Sequence, residues 1–285
     1  MILVTGATGY VGRHLMRRLC HPGGALRCLV RPHSDRKHLE DCGIQICTGD
    51  LRDRASVHPA FDGVRTVFHL AHIRFAPVVL ACAPPDVDRI VLISSMQALS
   101  GVPSSSVDEV RKGEDAVRAS GLPWIMLRPS MVYGPGDDRN ISRLQGYLHR
   151  HRILPVPGNG KALQQPVFVH DLIDAVLASA VRGRLRQTYT VAGPRALTYD
   201  ELVMTVGRAI GRAPVLLHIP VPVFLLCMRV AVMLRLRLPM DSEQVRRLQE
   251  DKSGCIRWAR EDLGFQPLEL AVGLARSHQQ EEPAP

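Results

Sequence analysis

The sequence predicts an α/β fold, a doubly wound parallel sheet with a smaller C-terminal lobe on the substrate side. Three observations predict it. Short apolar runs alternate with helical patterns from Ile2 to about Ala192. The runs are continuous in Val, Ile and Leu rather than alternating with polar residues, as strands covered on both faces are. The opening stretch MILVTGATGYVG passes from a strand through a glycine turn into a helical pattern. At 285 residues the chain can bury a full core and carry a second lobe.

Ile2, Leu3 and Val4 make the first strand, and Leu15, Met16 and Leu19 mark the apolar face of the first helix. Between them, Gly6 permits a tight turn, Gly9 leaves room for a pyrophosphate against the backbone, and Gly12 lets helix and strand approach closely. Thr8, Tyr10 and Val11 complete the loop, whose helix-start N–H groups face the phosphates. Leu26 to Val30 is the second strand, and it ends in Arg31. In a Rossmann-type sheet an acid at that position grips the ribose hydroxyls of NAD, whereas an arginine suits the 2′-phosphate of NADP. Arg31 is followed by Ser34, Arg36 and Lys37, with no acid at the strand end, so the expected cofactor is NADP, with NAD as the alternative. A solvated basic loop would account for the same residues.

Ile44 to Cys47 is the third strand. Asp50 follows it, placed to accept from the adenine amino group, with Leu51 against the ring; capping or turning the chain would equally suit Asp50 and Asp53. Val64 to Leu70 is the fourth strand, and Leu70, Ala71 and His72 lie where the chain passes the cofactor. A helical run covers 75–83. Arg89 to Ser95 is the fifth strand, 104–120 a helix, and Trp124 to Leu127 the sixth strand, with Pro129 and Val132 beyond it on the ligand side. Ligands of such sheets bind outside the carboxyl ends of the strands. Further on, Ile141 to Arg150 reads as an amphipathic helix, 156–160 as a loop, and Pro166 to Val169 as a short strand. Asp171 caps a helix over 172–181, and Tyr189 to Ala192 is a strand. Thr198 with Glu201 forms a capping box, and 246–260 is a charged helical stretch. The expected division is a dinucleotide-binding core over 1–135 that returns at 166–192, a substrate-side lobe over 136–165 and 193–276, and a disordered polar tail at 277–285.

Net charge is +9, nearly all of the positive charge being arginine, and aromatic residues are 5% of the chain. No basic block is interleaved with aromatics, so nucleic acid is not an expected partner. Seven scattered cysteines (20, 28, 42, 47, 82, 227, 255) include no C-x-x-C. Neither a metal site nor a disulfide framework is expected, and they read as core thiols of a reducing compartment. The first strand starts at Met1, which leaves no room for a leader, so a cytoplasmic location is expected. The segment 220–238 is apolar and carries Arg229, Arg235 and Arg237. It suits a core helix, an oligomer or protein-partner contact, or peripheral attachment to a membrane.

TGATGYVG, GDL, FHLA, LISS, LRPSMVYGPGD and FVHDLIDAV occur in that order, and with them the chain resembles the extended and atypical short-chain dehydrogenase/reductases, to about residue 270. EDAVRASGLPWIMLRPSMVYGPGDD and YTVAGPRALTYDELV most resemble the atypical group that includes the dinucleotide-binding accessory subunit of respiratory complex I; nucleotide-sugar epimerases are a more distant likeness. The resemblance implies a Tyr-x-x-x-Lys pair on the helix after the fifth strand and a serine at that strand's end. The tyrosine protonates the alkoxide that hydride transfer leaves.

Ser95 (or Ser94) matches the serine and Lys112 the lysine, but Asp108 stands where the tyrosine belongs. With Gly113-Glu114 aligned to the family's Gly-Glu instead, the pair falls on Ser106 and Val110. No tyrosine lies between Val11 and Ser130. Tyr133, on the substrate side in the family, is a remaining catalytic candidate beside Ser95, Asp108 and Lys112. The expected function is therefore an NADP(H)-binding oxidoreductase acting on a small organic acceptor without the usual pair. A non-catalytic binder serving assembly, structure or sensing is the alternative, and a nucleotide-sugar epimerase/dehydratase, which leans on the tyrosine, stands third.

Overall fold

The computed structural model describes residues 1–20, 25–40, 43–233 and 242–281. The first half is β1 (Ile2–Thr5), α1 (Tyr10–Leu19), β2 (Leu26–Val30), α2 (Lys37–Glu40), β3 (Gln45–Thr48), α3 (Arg54–Val57), β4 (Thr66–His69), α4 (Ala76–Cys82), β5 (Arg89–Ile93), α5 (Ser105–Ala119) and β6 (Trp124–Pro129). There follow β7 (Val132–Tyr133), α6 (Ile141–Arg150), β8 (Ile153–Pro157), β9 (Leu163–Gln164), β10 (Val167–Phe168), α7 (Val169–Arg182) and β11 (Gln187–Val191). The rest is β12 (Leu197–Thr198), α8 (Tyr199–Ala209), β13 (Val215–Ile219), α9 (Val221–Met233), α10 (Ser242–Arg247), α11 (Arg257–Leu263) and α12 (Leu270–Glu281).

Seven strands form one sheet in the order β11-β6-β5-β4-β1-β2-β3, every pairing parallel. The strand order reverses between β1 and β4, so their carboxyl ends open a crevice there. Successive strand residues feed opposite faces. Val4 packs with Leu15, Met16, Leu172 and Val176 under α1 and α7, while Leu3 packs with Val67, Val79, Val110 and Val117 under α4 and α5. A third apolar cluster joins Tyr133, Ile141, Leu148, Val156, Phe168, Leu202 and Leu274 beyond the sheet.

Asp53 does cap α3, accepting from the Ala55 N–H, and the Thr198–Glu201 capping box is present. Five expectations need correction. α7 begins at Val169, so Asp171 lies inside its first turn, and its carboxylate accepts from the Leu268 N–H instead of capping. Residues 153–157 form β8, which pairs with β13, where a loop over 156–160 was expected. The stretch 246–260 is not one helix: α10 stops at Arg247 and α11 starts at Arg257. Residues 277–281 continue α12, with Ser277 buried and donating to the Gly273 carbonyl, so no tail begins there; 282–285 lie outside the described residues. Cys20 is disulfide-bonded, against the expectation of free thiols throughout. Cys28 and Cys82 are buried free thiols, but Cys227 and Cys255 are exposed.

α9 is not a core helix: Val223, Leu226 and Met233 are exposed along it, while Arg235 and Arg237 lie outside the described residues. Among the described residues no helix is long and apolar enough to cross a membrane.

At the end of β4, His69 is fully buried, its Nδ1 2.7 Å from Thr5 Oγ1 on β1. Burial holds its pKa down to about 4. An unfolded imidazole titrates near its ordinary value of 6.5, so below that pH the unfolded chain binds a proton that the folded ring refuses. Stability is complete above this range and falls as the pH drops towards the folded value. Between about pH 7.5 and 5 the loss from His69 comes to about 2 kcal/mol. Urea midpoints at the two pH values should fall in this direction, with His14, whose pKa burial also lowers to about 4, adding to the loss, and equal midpoints would contradict neutral buried rings.

Candidate functional site

Two cavities are lined in part by the glycine loop. The first, about 380 Å³, lies over the ends of β1, β2 and β4 and is lined by Gly6, Thr8, Gly9, Arg31, Asp50, Leu51, Leu70, Ala71 and His72. All nine belong to the expected cofactor set. The loop is shaped by sterics. Gly6 has φ +78°, and a β-carbon there would stand 2.5 Å from the Ala71 nitrogen. A β-carbon on Gly12 would come within 2.1 Å of the Gly6 carbonyl oxygen, so this residue packs α1 on the loop and does not line the cavity. Val11 likewise packs on the core. Gly9 is the N-cap of α1 and offers no side-chain cap, which leaves the helix start open to an anion. A pyrophosphate fits this cradle.

At the far end, Arg31 and Ser34 line the wall, the Ser34 N–H donating to the Arg31 carbonyl in a tight turn. Of the neighbours expected to help, Arg36 is paired with Glu40 at 3.5 Å, and neither it nor Lys37 lines the cavity. Arg52, Arg74 and Arg139 do line it and were not anticipated. Arg52 follows Asp50-Leu51 directly and was readable from that motif; Arg139 enters from a loop beyond β7 and was not. Asp50 is half-buried, with Oδ1 accepting from the Arg52 N–H, so it shapes the turn as well as the wall. His72 caps the turn after β4, its Nδ1 accepting from the Arg74 N–H; burial and the Arg74 charge lower its pKa.

The second cavity, about 460 Å³, is lined by Tyr10, Pro129 and Val132 of the expected cofactor set and by Ser95. Its other wall is Arg247, Glu250, Asp251, Lys252 and Ser253, which the sequence reading had placed on a charged helix. Tyr10 lies against Gly134, where a β-carbon would meet its hydroxyl at 3.0 Å. Ser95 Oγ accepts from the Gln97 N–H at 3.1 Å, which keeps its proton available to a ligand.

Three catalytic expectations are corrected. α5 buries Val107, Val110, Gly113, Glu114 and Val117, because a β-carbon on Gly113 would meet the Ile73 carbonyl oxygen at 2.4 Å and so demands close helix contact. Asp108 and Lys112 fall on the opposite, exposed face and line neither cavity. In the register that aligns Gly113-Glu114 the pair would fall on Ser106, whose Oγ accepts from Gln97 Nε2 at 2.5 Å, and on the buried Val110, and neither lines a cavity. Tyr133 is sealed in the third apolar cluster, touching the Leu270 carbonyl at 3.5 Å; burial and the Asp171 and Glu269 charges raise its pKa well above the ordinary phenol value. It cannot deliver a proton to either cavity.

Ser94 is engaged elsewhere. Its hydroxyl donates to Glu114 at 2.6 Å, and Glu114 also accepts from Arg118 at 2.7 Å and from Arg128, Nε at 2.7 Å and Nη2 closer still. Burial opposes the Glu114 charge, but these donors hold its pKa below the ordinary value.

A family model described as NAD(P)H-binding matches residues 6–148, and one described as the NAD dependent epimerase/dehydratase family matches 112–192. The chain belongs to the NAD(P)H-binding family of extended and atypical short-chain dehydrogenase/reductases. It is 31% identical over 221 residues, 74% of each chain, to the (4-alkanoyl-5-oxo-2,5-dihydrofuran-3-yl)methyl phosphate reductase of Streptomyces griseus subsp. griseus. It is 24% identical over 243 residues to the mitochondrial NADH dehydrogenase (ubiquinone) 1 alpha subcomplex subunit 9 of Arabidopsis thaliana, covering 77% of this chain and 60% of that one. A crystal structure of a putative epimerase from Burkholderia cenocepacia J2315 shares the fold at a TM-score of 0.75, 20% identity and coverage of 99% of this chain and 98% of that one. The family is one of nicotinamide-dependent oxidoreductases, with a nicotinamide dinucleotide as cofactor.

Proposed function

We propose that this chain is an NADP(H)-dependent reductase of a small organic acceptor, working without the Tyr-x-x-x-Lys pair. The observation that carries the reading is that neighbouring residues of one glycine loop line the two cavities: Gly9 the first and Tyr10 the second. A dinucleotide stretched along the strand ends with its adenosine by Arg31 would bring its nicotinamide towards Ser95 and Pro129. Bound there, it supplies a hydride. Ser95 holds the acceptor oxygen, Gly6 and Gly9 hold the pyrophosphate, and the apolar lining from Met96, Met131 and Val132 keeps water from the reacting carbon. The named activity of the Streptomyces relative, a reductase, is in keeping with this reading.

The choice of NADP rests on Arg31, Ser34 and Arg52 together in a wall that no carboxylate from the end of β2 joins. Replacing Arg31 with alanine is expected to weaken NADPH by about 1–3 kcal/mol, the range for a lost charge-assisted bond, and to leave NADH nearly unchanged. Fluorescence titration with both cofactors measures it, and equal losses would remove the 2′-phosphate argument. The same titration on the unaltered protein, followed by addition of aldehydes and quinones, tests the reductase reading itself. Oxidation of the bound cofactor supports it; tight binding without turnover across the panel would sink it.

The second reading is a non-catalytic binder with a structural, assembly or sensing role. The exposed apolar residues of α9 favour it, because they suit a protein or membrane contact through 220–238. The Arabidopsis relative is named as a subunit of a larger complex.

A further inference from the structure

The wall contributed by residues 247–253 is the part of the second cavity that the reading above leaves without a task. Between α10 and α11 the chain runs irregularly, yet it is firmly held. The Glu250 carboxylate accepts from Ser100 Oγ at 2.5 Å and from the N–H groups of Gly101 and Val102 at 2.6 and 3.1 Å. Asp251 Oδ1 accepts from the Leu163 N–H at 2.8 Å, and the Lys252 N–H returns a bond to the Leu163 carbonyl at 2.7 Å. The Gly254 N–H donates to Gln165 Oε1 at 2.8 Å. This wall is a fixed part of the site.

Its charges are sorted. Glu250 and Asp251 are engaged by backbone and hydroxyl donors. Asp138, on the opposite wall, accepts from the N–H groups of Asn140 and Ser142 and from the Ser142 hydroxyl. The bases are not engaged in the same way. Arg247 meets Glu243 at 3.6 Å and keeps a buried Nε without a partner, while the half-buried Lys252 has no side-chain hydrogen bond among the described residues. Among the residues lining this cavity, the carboxylates can only accept, and arginine does not give up its proton. The Tyr10 hydroxyl is buried against Gly134. The serine hydroxyls of this lining can donate a hydrogen bond but hold their proton too tightly to give it up near neutrality, so Lys252 is left as the group that can both hold a proton and release it.

We propose that Lys252 is the proton donor that stands in for the missing tyrosine. The proposal rests on the reductase reading. As a hydride from the nicotinamide adds to the carbonyl carbon of an acceptor seated between Ser95 and Lys252, the π pair of that carbonyl moves onto its oxygen. The Lys252 ammonium gives the oxygen its proton, the product is an alcohol, and the remaining amine regains a proton from water. The cofactor leaves oxidised by two electrons. Burial and the neighbouring Arg247 charge lower the Lys252 pKa, with Glu250 opposing, which moves the ammonium towards the range where it is an effective acid. The Arg247 charge also favours the oxyanion as it forms.

The test uses the full chain with NADPH, the variants Lys252→Met and Lys252→Arg, and two classes of acceptor. The chain has four lysines, 37, 112, 161 and 252, so reductive methylation with carbon-13 formaldehyde gives a readable titration of each. Lys252 is expected to titrate below the other three, its resonance assigned by its loss in Lys252→Arg. NADPH affinity should stay within about twofold in both variants, since Lys252 lies outside the first cavity, where the pyrophosphate and adenosine are held. Aldehyde reduction should fall ~100-fold or more in Lys252→Met, the usual contribution of a positioned acid. Arginine, which keeps the charge but holds its proton, should restore less than about a tenth of it. The loss against a quinone, whose reduced oxygens need no enzyme acid, should be at least about tenfold smaller than against the aldehyde. The unaltered enzyme should lose aldehyde turnover as pH rises through the Lys252 titration. Lys252→Met at wild-type aldehyde rates, or Lys252 titrating with the other lysines, overturns the proposal alone. An unaltered protein that binds NADPH but reduces nothing overturns the reductase reading, and the proposal with it.

Discussion

Replacing Gly9 with aspartate is expected to abolish dinucleotide binding while leaving the fold intact. Gly9 has φ −74° and ψ 171°, an extended conformation open to any residue, and its β-carbon would meet only the Gly6 carbonyl oxygen at 3.3 Å. An aspartate is also a good N-cap, so α1 should gain from it. The gain is what destroys the site, because the carboxylate takes the N–H groups meant for the pyrophosphate and adds a like charge beside it. NADPH affinity should drop at least ~100-fold, about 3 kcal/mol, with an unchanged or slightly raised melting temperature in the absence of cofactor. Calorimetric titration together with a melting curve separates the two effects. Wild-type affinity would mean that phosphates do not sit at this loop. Gly12→Asp would not separate them, since its β-carbon collides with the Gly6 carbonyl and the packing of α1 itself would fail.

Glu114→Ala is expected to produce a large loss of stability without any backbone collision. Glu114 is 1% exposed and sits between Arg128, Arg118 and the Ser94 hydroxyl. Removing it leaves the Arg128 guanidinium on β6, 17% exposed, with no counter-charge. Breaking a buried pair from one side costs about 3–5 kcal/mol, whereas Arg118→Ala removes a more exposed partner and should cost under about 1 kcal/mol. Adding Arg128→Met to Glu114→Ala should recover a large part of the loss, because it removes the stranded charge. Denaturant unfolding of the unaltered protein, Glu114→Ala, Arg128→Met and the double variant gives the cycle. Additive losses in the double variant would show that Glu114 and Arg128 are not coupled.

The cofactor half of the site was legible because its constraints are local. Gly9 and Gly12 answer to distances from Gly6 and Ala7 within the same loop, and the apolar runs of β1, β2, β5 and β6 answer to burial on both faces; the approach of Ala71 to Gly6 is the long-range part. The catalytic helix was half-legible. Sequence spacing offered two registers, and Asp108 was attractive as the residue four before Lys112. What turns Asp108 and Lys112 to the exposed face is the contact of Gly113 with the Ile73 carbonyl, which belongs to another element and leaves no local mark. β8 was hidden by Pro155 and Pro157, which suggest a loop; as a strand of a two-stranded sheet it tolerates them. The wall at 247–253 was hidden most completely. Glu, Gln, Arg and Lys favour helix, and only the distant donors Ser100, Gly101, Val102 and Leu163 hold that stretch out of it. Lys252 reaches the second cavity by the folding of the whole chain, so no window of sequence could have joined it to Ser95.

β11 has a consequence for the order in which the molecule can be made. Its five residues pair with β6 from Gln187 opposite Ile125 to Val191 opposite Pro129, and Arg89 on β5 fastens the approach by bonding the carbonyls of Ser179 and Gly183. A chain emerging from the ribosome therefore displays the unpaired, largely apolar edge strand β6 for the time it takes to synthesise some sixty further residues. Until residue 191 is free, the nucleotide-binding sheet has an open flank with Ile125, Met126 and Leu127 in its last strand, an invitation to pair with a neighbouring nascent chain. A truncation after residue 148 makes that interval permanent. The unit that binds the cofactor has no single pair of cut points, and fragments of it should be designed by joining 124–129 to 187–191 rather than by stopping between them.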